Sequence, residues 1–197
     1  SFPLLESGDQ LTAVNIRAED NHIDNEALAL YGQLTWSPGQ TPDLHYSLGW
    51  RYSRDKRAVQ REFRQDNYLD AGTGFTGPLV RTEFAADARQ KFSDNSFSLM
   101  LEYDASDSLL AYGKYAEAYK SGGFNTRDPD PAWFERGFDA EKNRTLELGV
   151  KAELLQRRLR LNSALFYSDI DDLQLNFLLP GGISDTRVFN GGTARLS

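Results

Sequence analysis

The sequence of 197 residues has no cysteine, a single methionine and two histidines. The missing thiols exclude disulfides, zinc ribbons, iron–sulfur clusters and cysteine nucleophiles together, while leaving the redox compartment open. Long apolar runs are missing too. The longest, such as Ala27–Tyr31 and Leu109–Tyr112, fall far short of the ~20 residues that a membrane-spanning helix needs. Basic charge is in deficit: 22 Lys and Arg stand against 29 Asp and Glu, for a formal net charge of −7 and a pI near 4.9. No nucleic-acid partner is expected, because such proteins carry a basic stripe to neutralise phosphates.

Signatures of common enzyme chemistry are absent as well. There is no Gly-x-Ser-x-Gly elbow, no Walker loop and no His-Glu-x-x-His pair, so no catalytic residue, cofactor or resident metal is expected. His22 and His45 read as hydrated surface or lumen side chains. Asp128, Asp130, Asp169, Asp171 and Asp172 lack the ordered spacing of a calcium loop and read as a solvated acidic loop. The start, Ser1–Leu5, has none of the charge, apolar stretch or cleavage site of a secretory signal. The end, from Asn190, reads as an unfinished strand. The sequence is therefore expected to be a piece of a longer molecule.

What the sequence does have is alternation with a period of two, which sends successive side chains to opposite faces of a strand. In 44–55, Leu44, Tyr46, Leu48, Trp50 and Tyr52 alternate with His45, Ser47, Gly49, Arg51 and Ser53. The stretch 96–104 sets Phe97, Leu99, Leu101 and Tyr103 against Ser96, Ser98, Met100, Glu102 and Asp104. Residues 144–154 repeat the pattern with Leu146, Leu148 and Val150 against Glu147, Gly149 and Lys151, and 159–170 follow. Weaker strands are expected near 27–36, 109–119 and 187–197. In 109–119 only Lys114 says which face is wet.

The connections alternate in length. Ser37–Asp43, Ala105–Ser108 and Leu155–Arg158 are short; Lys56–Asn95, Ser121–Asn143 and roughly Asp171–Thr186 are long. A structureless loop of this size argues against a compact soluble domain, whereas a transmembrane barrel has short turns at one end and long loops at the other. Its strands also need about 9–11 residues to cross. Alternation by itself leaves two readings open. In a soluble β-sandwich or lectin-like module the apolar face is core; in a membrane barrel it meets lipid, and the polar face lines a wet lumen. Aromatic residues on the apolar face, Trp50, Tyr52, Tyr103 and Tyr167, fit a girdle at the lipid–water interface, clustered toward one end. Arg51, Glu102, Glu147, Lys151 and Arg160 on the other face fit a lumen where charges stay hydrated.

Several passages, taken in order, resemble the barrels of TonB-dependent outer-membrane receptors. They are Leu110-Ala-Tyr-Gly-Lys-Tyr-Ala-Glu-Ala-Tyr-Lys-Ser-Gly-Gly-Phe-Asn125, Glu141-Lys-Asn-Arg-Thr-Leu-Glu-Leu-Gly-Val-Lys151, Leu159–Gln174, Val188-Phe-Asn-Gly-Gly-Thr-Ala194 and Leu48–Asp55. The resemblance implies an all-β, antiparallel transmembrane β-barrel of about 22 strands, of which residues 1–197 hold about seven with long extracellular loops. The plug domain, its TonB-contacting segment and the closing strand lie outside this sequence. The implied function is active uptake of a scarce ligand such as a ferric siderophore across the bacterial outer membrane. The implied partners are outer-membrane lipid, an iron chelate and, through the plug, the TonB complex. Capture in such receptors uses loop aromatics beside charges. Here that points to Phe63, Tyr68 and Phe75 in the longest loop and to Trp133, Phe134 and Phe138 in the next, or else to rings that only pack the loops. Residues 55–94 carry seven basic and seven acidic side chains, so no basic funnel identifies the ligand.

Overall fold

The computed structural model describes residues 12–70, 80–180 and 185–197. Among these residues nine strands and one short helix follow in the order β1 (Thr12–Trp36), β2 (Leu44–Asp70), β3 (Val80–Ser106), β4 (Leu109–Lys120), α1 (Pro131–Arg136), β5 (Glu141–Leu154), β6 (Leu159–Asp171), β7 (Gln174–Leu178), β8 (Thr186–Asn190) and β9 (Ala194–Leu196). Seven strands form one antiparallel sheet in the order β1-β2-β3-β4-β5-β6-β9, and β7 and β8 form a separate two-stranded ribbon. All neighbours in the large sheet except β9 follow one another in sequence. This is an up-and-down meander, with short turns at one end and longer connections such as 121–140 at the other.

The registers turn the alternation into rows that cross the sheet. One row runs Leu34, Leu48, Leu99, Tyr115, Leu146 and Tyr167 through six strands, and the next runs Trp36, Tyr46, Leu101, Gly113, Leu148 and Leu165. The opposite face carries Thr35, Ser47, Met100, Lys114, Glu147 and Phe166 in one row. Lys114 thus resolves β4 as its single charge suggested. Among the described residues no second layer covers the apolar face: Leu148 is 59% and Leu165 80% exposed. A sandwich would bury those side chains, so the soluble alternative falls, and the sheet is a wall segment of an antiparallel barrel.

Three boundaries differ from the sequence reading. The 40-residue connection 56–95 is not a loop along most of its length, because β2 continues to Asp70 and β3 begins at Val80, paired without a break from Lys56↔Lys91 to Asn67↔Val80. β1 likewise starts at Thr12 and not near residue 27. These arms lack the outward apolar stripe, since that face turns polar beyond the greasy band, while their inward face carries Val59, Phe63, Phe84 and Ala86. The expected strand 187–197 is two pieces, β8 and β9, separated by Gly191 and Gly192, the latter at φ +86°.

The aromatic girdle differs as well. Tyr103 pairs with Leu44 near the short turns, beside the Trp36–Tyr46 contact at 5.7 Å, whereas Trp50 opposite Phe97, Tyr52 and Tyr167 stand toward the long loops. The rings stand on both sides of the apolar band and do not gather at one end. Residues 44 to 52 span ~26 Å along the strand at about 3.3 Å per residue, which is ~20 Å of height at a barrel strand's tilt of about 40°.

Candidate functional site

The long-loop end is an ordered assembly on the polar face. After β4 the chain turns through Gly122 and Gly123. A Cβ on Gly122 would lie 2.2 Å from the Phe138 carbonyl oxygen and 2.5 Å from the Phe92 ring, so only glycine fits. Backbone bonds join Gly123 and Phe138 in both directions. Helix α1 follows, six residues too short to show a helical period, with local signals at both ends. The Asp130 carboxylate accepts from the Ala132 and Trp133 amides, Pro131 opens the first turn, and Gly137 closes the last at φ +63°.

The helix delivers Phe134, fully buried, onto Val59 and Ala86 of the β2–β3 arms, with Phe84, Ala88 and Phe124 around them. Phe63, 2% exposed, stacks on Phe84 at 5.0 Å. Within this aromatic nest lies the Arg61 guanidinium, 4.7 Å from the Phe63 centroid and 5.2 Å from that of Phe134. Nη1 donates to the Asp128 carbonyl at 2.6 Å and Nη2 to Glu19 Oε2 at 2.9 Å. Burial pushes Arg61 below its ordinary value, and the Glu19 hydrogen bond opposes that shift. A buried arginine is tolerated because aromatic faces and these acceptors replace its water.

Asp128 is a second buried anchor. Its oxygens accept from Arg187 Nε and Nη2 at 2.6 and 2.9 Å, and this carboxylate holds Arg187 above its ordinary value. The acidic positions are therefore not a freely solvated loop, since Asp171 meets Arg144 and Asp169 faces Arg195 as well. Asn190, inside one of the resembling passages, donates to the Asp139 and Asp172 carbonyls and accepts from the Asp139 amide. Asn125, from another, donates to the Thr186 carbonyl. Passages far apart in sequence thus meet to tie the loop after β4 to the β7–β8 ribbon.

The aromatic candidates divide accordingly. Phe63 and Phe134 are core, packed and closed off; Phe138 is half-buried against Gly123. Trp133 is half-exposed between two cations, with Arg187 at 4.6 Å and Arg136 at 5.1 Å from its ring. Tyr68 lies near the tip of β2, half-buried. Phe75 falls outside the described residues. A cleft of about 380 Å³ opens between the β1–β2 arms and the loop, with Ile23, Asn25, Val59, Phe124, Phe138 and Gln174 on its walls. His45, at the other end of the wall, bonds Ser37 Oγ through Nδ1 and Asp104 through Nε2. Sequence reasoning missed Arg61 and Arg187, and took the buried Asp128 for a solvated carboxylate. The available signal was Val59-x-Arg61-x-Phe63, a charge flanked on its own face by apolar side chains.

A wall one strand thick, greasy toward one side and polar toward the other, with short turns below and knitted loops above, defines a transmembrane β-barrel segment. The family model described as "TonB dependent receptor-like, beta-barrel" matches residues 5–197, and the chain belongs to that family, whose members are receptors and transporters and not enzymes. It is 27% identical over 169 residues to the pesticin receptor of Yersinia enterocolitica, covering 86% of this chain and 22% of that protein. Against the pesticin receptor of Yersinia pestis it is 27% identical over 150 residues, 76% of this chain and 20% of the other. Among solved structures, the ferric yersiniabactin uptake receptor of Yersinia pestis superposes with a TM-score of 0.68 at 24% identity, over 91% of this chain and 24% of that one. The chain spans about a fifth of the length of the curated relatives it matches.

Proposed function

We propose that this chain is part of the wall and outer loops of a receptor in the bacterial outer membrane that takes up an iron chelate of the ferric siderophore kind. In this reading the whole barrel has about 22 strands, and a plug domain supplied by the rest of the protein relays energy from TonB. The apolar rows face outer-membrane lipid. The observation that carries the reading is the two-faced wall joined to a loop assembly tied together by its own side chains, Arg61 and Asn125 among them. A preorganised surface loses little entropy on binding.

Within that assembly Trp133 is the leading ligand contact, because its ring is half-exposed and flanked by Arg187 and Arg136. Such a surface suits an anionic, aromatic-rich chelate through stacking and charge. Phe138, Tyr68 and Phe75 are proposed as further contacts, and Phe63 and Phe134 as supports that hold the surface. The test is uptake of radiolabelled iron chelates by cells whose only such receptor carries this segment. Trp133→Ala is expected to weaken chelate binding about ten-fold or more while the barrel still reaches the outer membrane. Unchanged binding by that variant would remove Trp133 from the site, and a barrel that binds no iron chelate would reject the proposed substrate class.

A further inference from the structure

Asn190 is the one asparagine in the sequence that a glycine follows, and the structure gives each of the two residues its own reason to be there. The carboxamide is a three-point clamp. Nδ2 donates to the Asp139 carbonyl at 3.0 Å and to the Asp172 carbonyl at 2.9 Å, and Oδ1 accepts from the Asp139 amide at 2.8 Å. These bonds pin the end of β8 to the loop after α1 and to the turn after β6. Gly191 is required by crowding, since a Cβ there would fall inside the Leu175 side chain of β7. Its amide donates to the Leu173 carbonyl at 2.7 Å, and the Leu173 amide donates to the Gly192 carbonyl at 3.0 Å. Clamping and packing therefore place side by side two residues that can react with each other.

In an Asn-Gly pair the backbone nitrogen can reach the carboxamide carbon, because glycine has no Cβ to keep it away. The Gly191 nitrogen bonds to Asn190 Cγ, the bond from Cγ to Nδ2 breaks, and ammonia leaves with the Gly191 amide proton. Water then opens the resulting succinimide at either carbonyl, giving aspartate or isoaspartate. Nothing is oxidised or reduced, and water is the only co-reactant. We infer that Asn190-Gly191 is a self-deamidation site, closed while the loop assembly is tied and open when the end of β8 comes loose. Closure follows from the bonds above: attack requires the carboxamide to give up three hydrogen bonds and the Gly191 amide to leave Leu173. The product does not fit back into the clamp. Aspartate at 190 turns an oxygen, with no proton to donate, toward the Asp139 and Asp172 carbonyls, and isoaspartate also adds a methylene to the backbone. Arg187 on the same strand holds Asp128 and lies over Trp133, so release of β8 reaches the exposed tryptophan.

The test uses the whole barrel protein carrying this chain, folded in detergent and aged at pH 8.5. Peptides covering 185–197 are scored by mass for the amide-to-acid change and by chromatography for isoaspartate. Position 190 of the folded protein is expected to convert at least about ten-fold more slowly than in the same protein unfolded in urea. Asn125→Ala cuts the bond to the Thr186 carbonyl at the start of β8 and leaves 190 and 191 intact, so conversion should speed up there in step with hydrogen exchange of the Gly191 amide. Equal rates in the folded and unfolded protein, or faster conversion in Asn125→Ala with the Gly191 amide still protected, would overturn the gating. An unfolded chain that keeps its amide at 190 would remove the site altogether. The consequence has its own check. Asn190→Asp should exchange the amides of 138–140 and 173–178 about ten-fold faster than wild type, and wild-type protection in that variant would overturn release of the loop by deamidation.

Discussion

The Tyr112 ring lies flat across Gly149 on the neighbouring strand. The two residues are direct register partners of β4 and β5, and a Cβ built on Gly149 would fall 2.5 Å from ring atoms Cε1 and Cζ. The glycine therefore provides the space that lets the ring lie down and carry its hydroxyl to Glu147 Oε1 at 2.5 Å, with Lys151 Nζ 5.2 Å from the ring centroid. An aromatic covering a cross-strand glycine also shields backbone that would otherwise be bare. Gly149→Ala should displace the ring, break both contacts and lower stability by about 1–2 kcal/mol. Gly32→Ala is the control, because nothing lies within 4 Å of a Cβ there. Urea unfolding in lipid vesicles measures both; equal midpoints for the two variants would remove any special role from the Tyr112–Gly149 pair.

The two faces of β5 should answer oppositely to charge. Leu148 sits in the second apolar row, level with Leu165 and Leu101, near the middle of the band. Leu148→Arg is expected to cost about 2–4 kcal/mol of insertion free energy. Lys151→Gln, on the polar face, leaves a neutral side chain among hydrated groups and should cost about 1 kcal/mol, the value of its contact with Tyr112. Folding yields in vesicles read the contrast. Similar losses from the two changes would mean that neither side of the sheet faces hydrocarbon.

The wall was legible in the sequence because lipid imposes the alternation that the eye can find. Leu44–Tyr52, Phe97–Tyr103 and Leu146–Leu154 announce both strand and face. The arms were harder to read: in Lys56–Asp66 and Arg81–Asp94 the outward face is polar, and on the inward face Arg61 interrupts the apolar pattern of Val59 and Phe63, so no continuous stripe marks them. The turn after β5 was placed but not explained by composition, as Leu155, Gln156 and Arg157 all adopt positive φ without a glycine among them. The loop site was half-read. Its aromatics stood out by type, but which of them are buried depends on Arg61 and Asp128 finding partners many residues away, for which Val59-x-Arg61-x-Phe63 was only a partial local hint.

The loop assembly should open without the wall. Phe134 is the one helical side chain sunk fully into the nest around Val59, Ala86 and Arg61, so Phe134→Ala removes its keystone and should cost about 3–5 kcal/mol locally. Hydrogen exchange is expected to speed up over residues 121–140 and the outer halves of β2 and β3, while amides of 144–154 and 159–167 stay protected. Opening of the loop relative to the wall is the sub-global unfolding that such packing permits. Protection unchanged in the loop would show that the hydrogen bonds of Asn125, Gln174 and Asn190 hold it alone.

Acid should loosen the outer tip of the arms. Asp66, 4% exposed, accepts from Arg81 Nε at 2.6 Å and from Arg64 Nη2 at 2.8 Å. The Arg81 hydrogen bond, aided by Arg64, holds its carboxyl below the ordinary value. A carboxylate depressed in the folded state adds stability that is complete above its unfolded pKa, near ~3.9 for aspartate, and that disappears as pH falls through the lower folded value. Between pH 5 and 8 the tip should therefore be insensitive to pH, and below about pH 4 it should open progressively. Pepsin nicking between residues 60 and 90 at pH 3, set against hydrogen exchange of the same segment at pH 6, reads the change. Asp66→Asn should expose the segment at both values, because the amide cannot pair with either arginine as a charge. A tip equally protected at pH 3 and pH 6 in the wild type would mean that backbone pairing alone, and not the Asp66–Arg81 contact, holds β2 against β3 at their far ends.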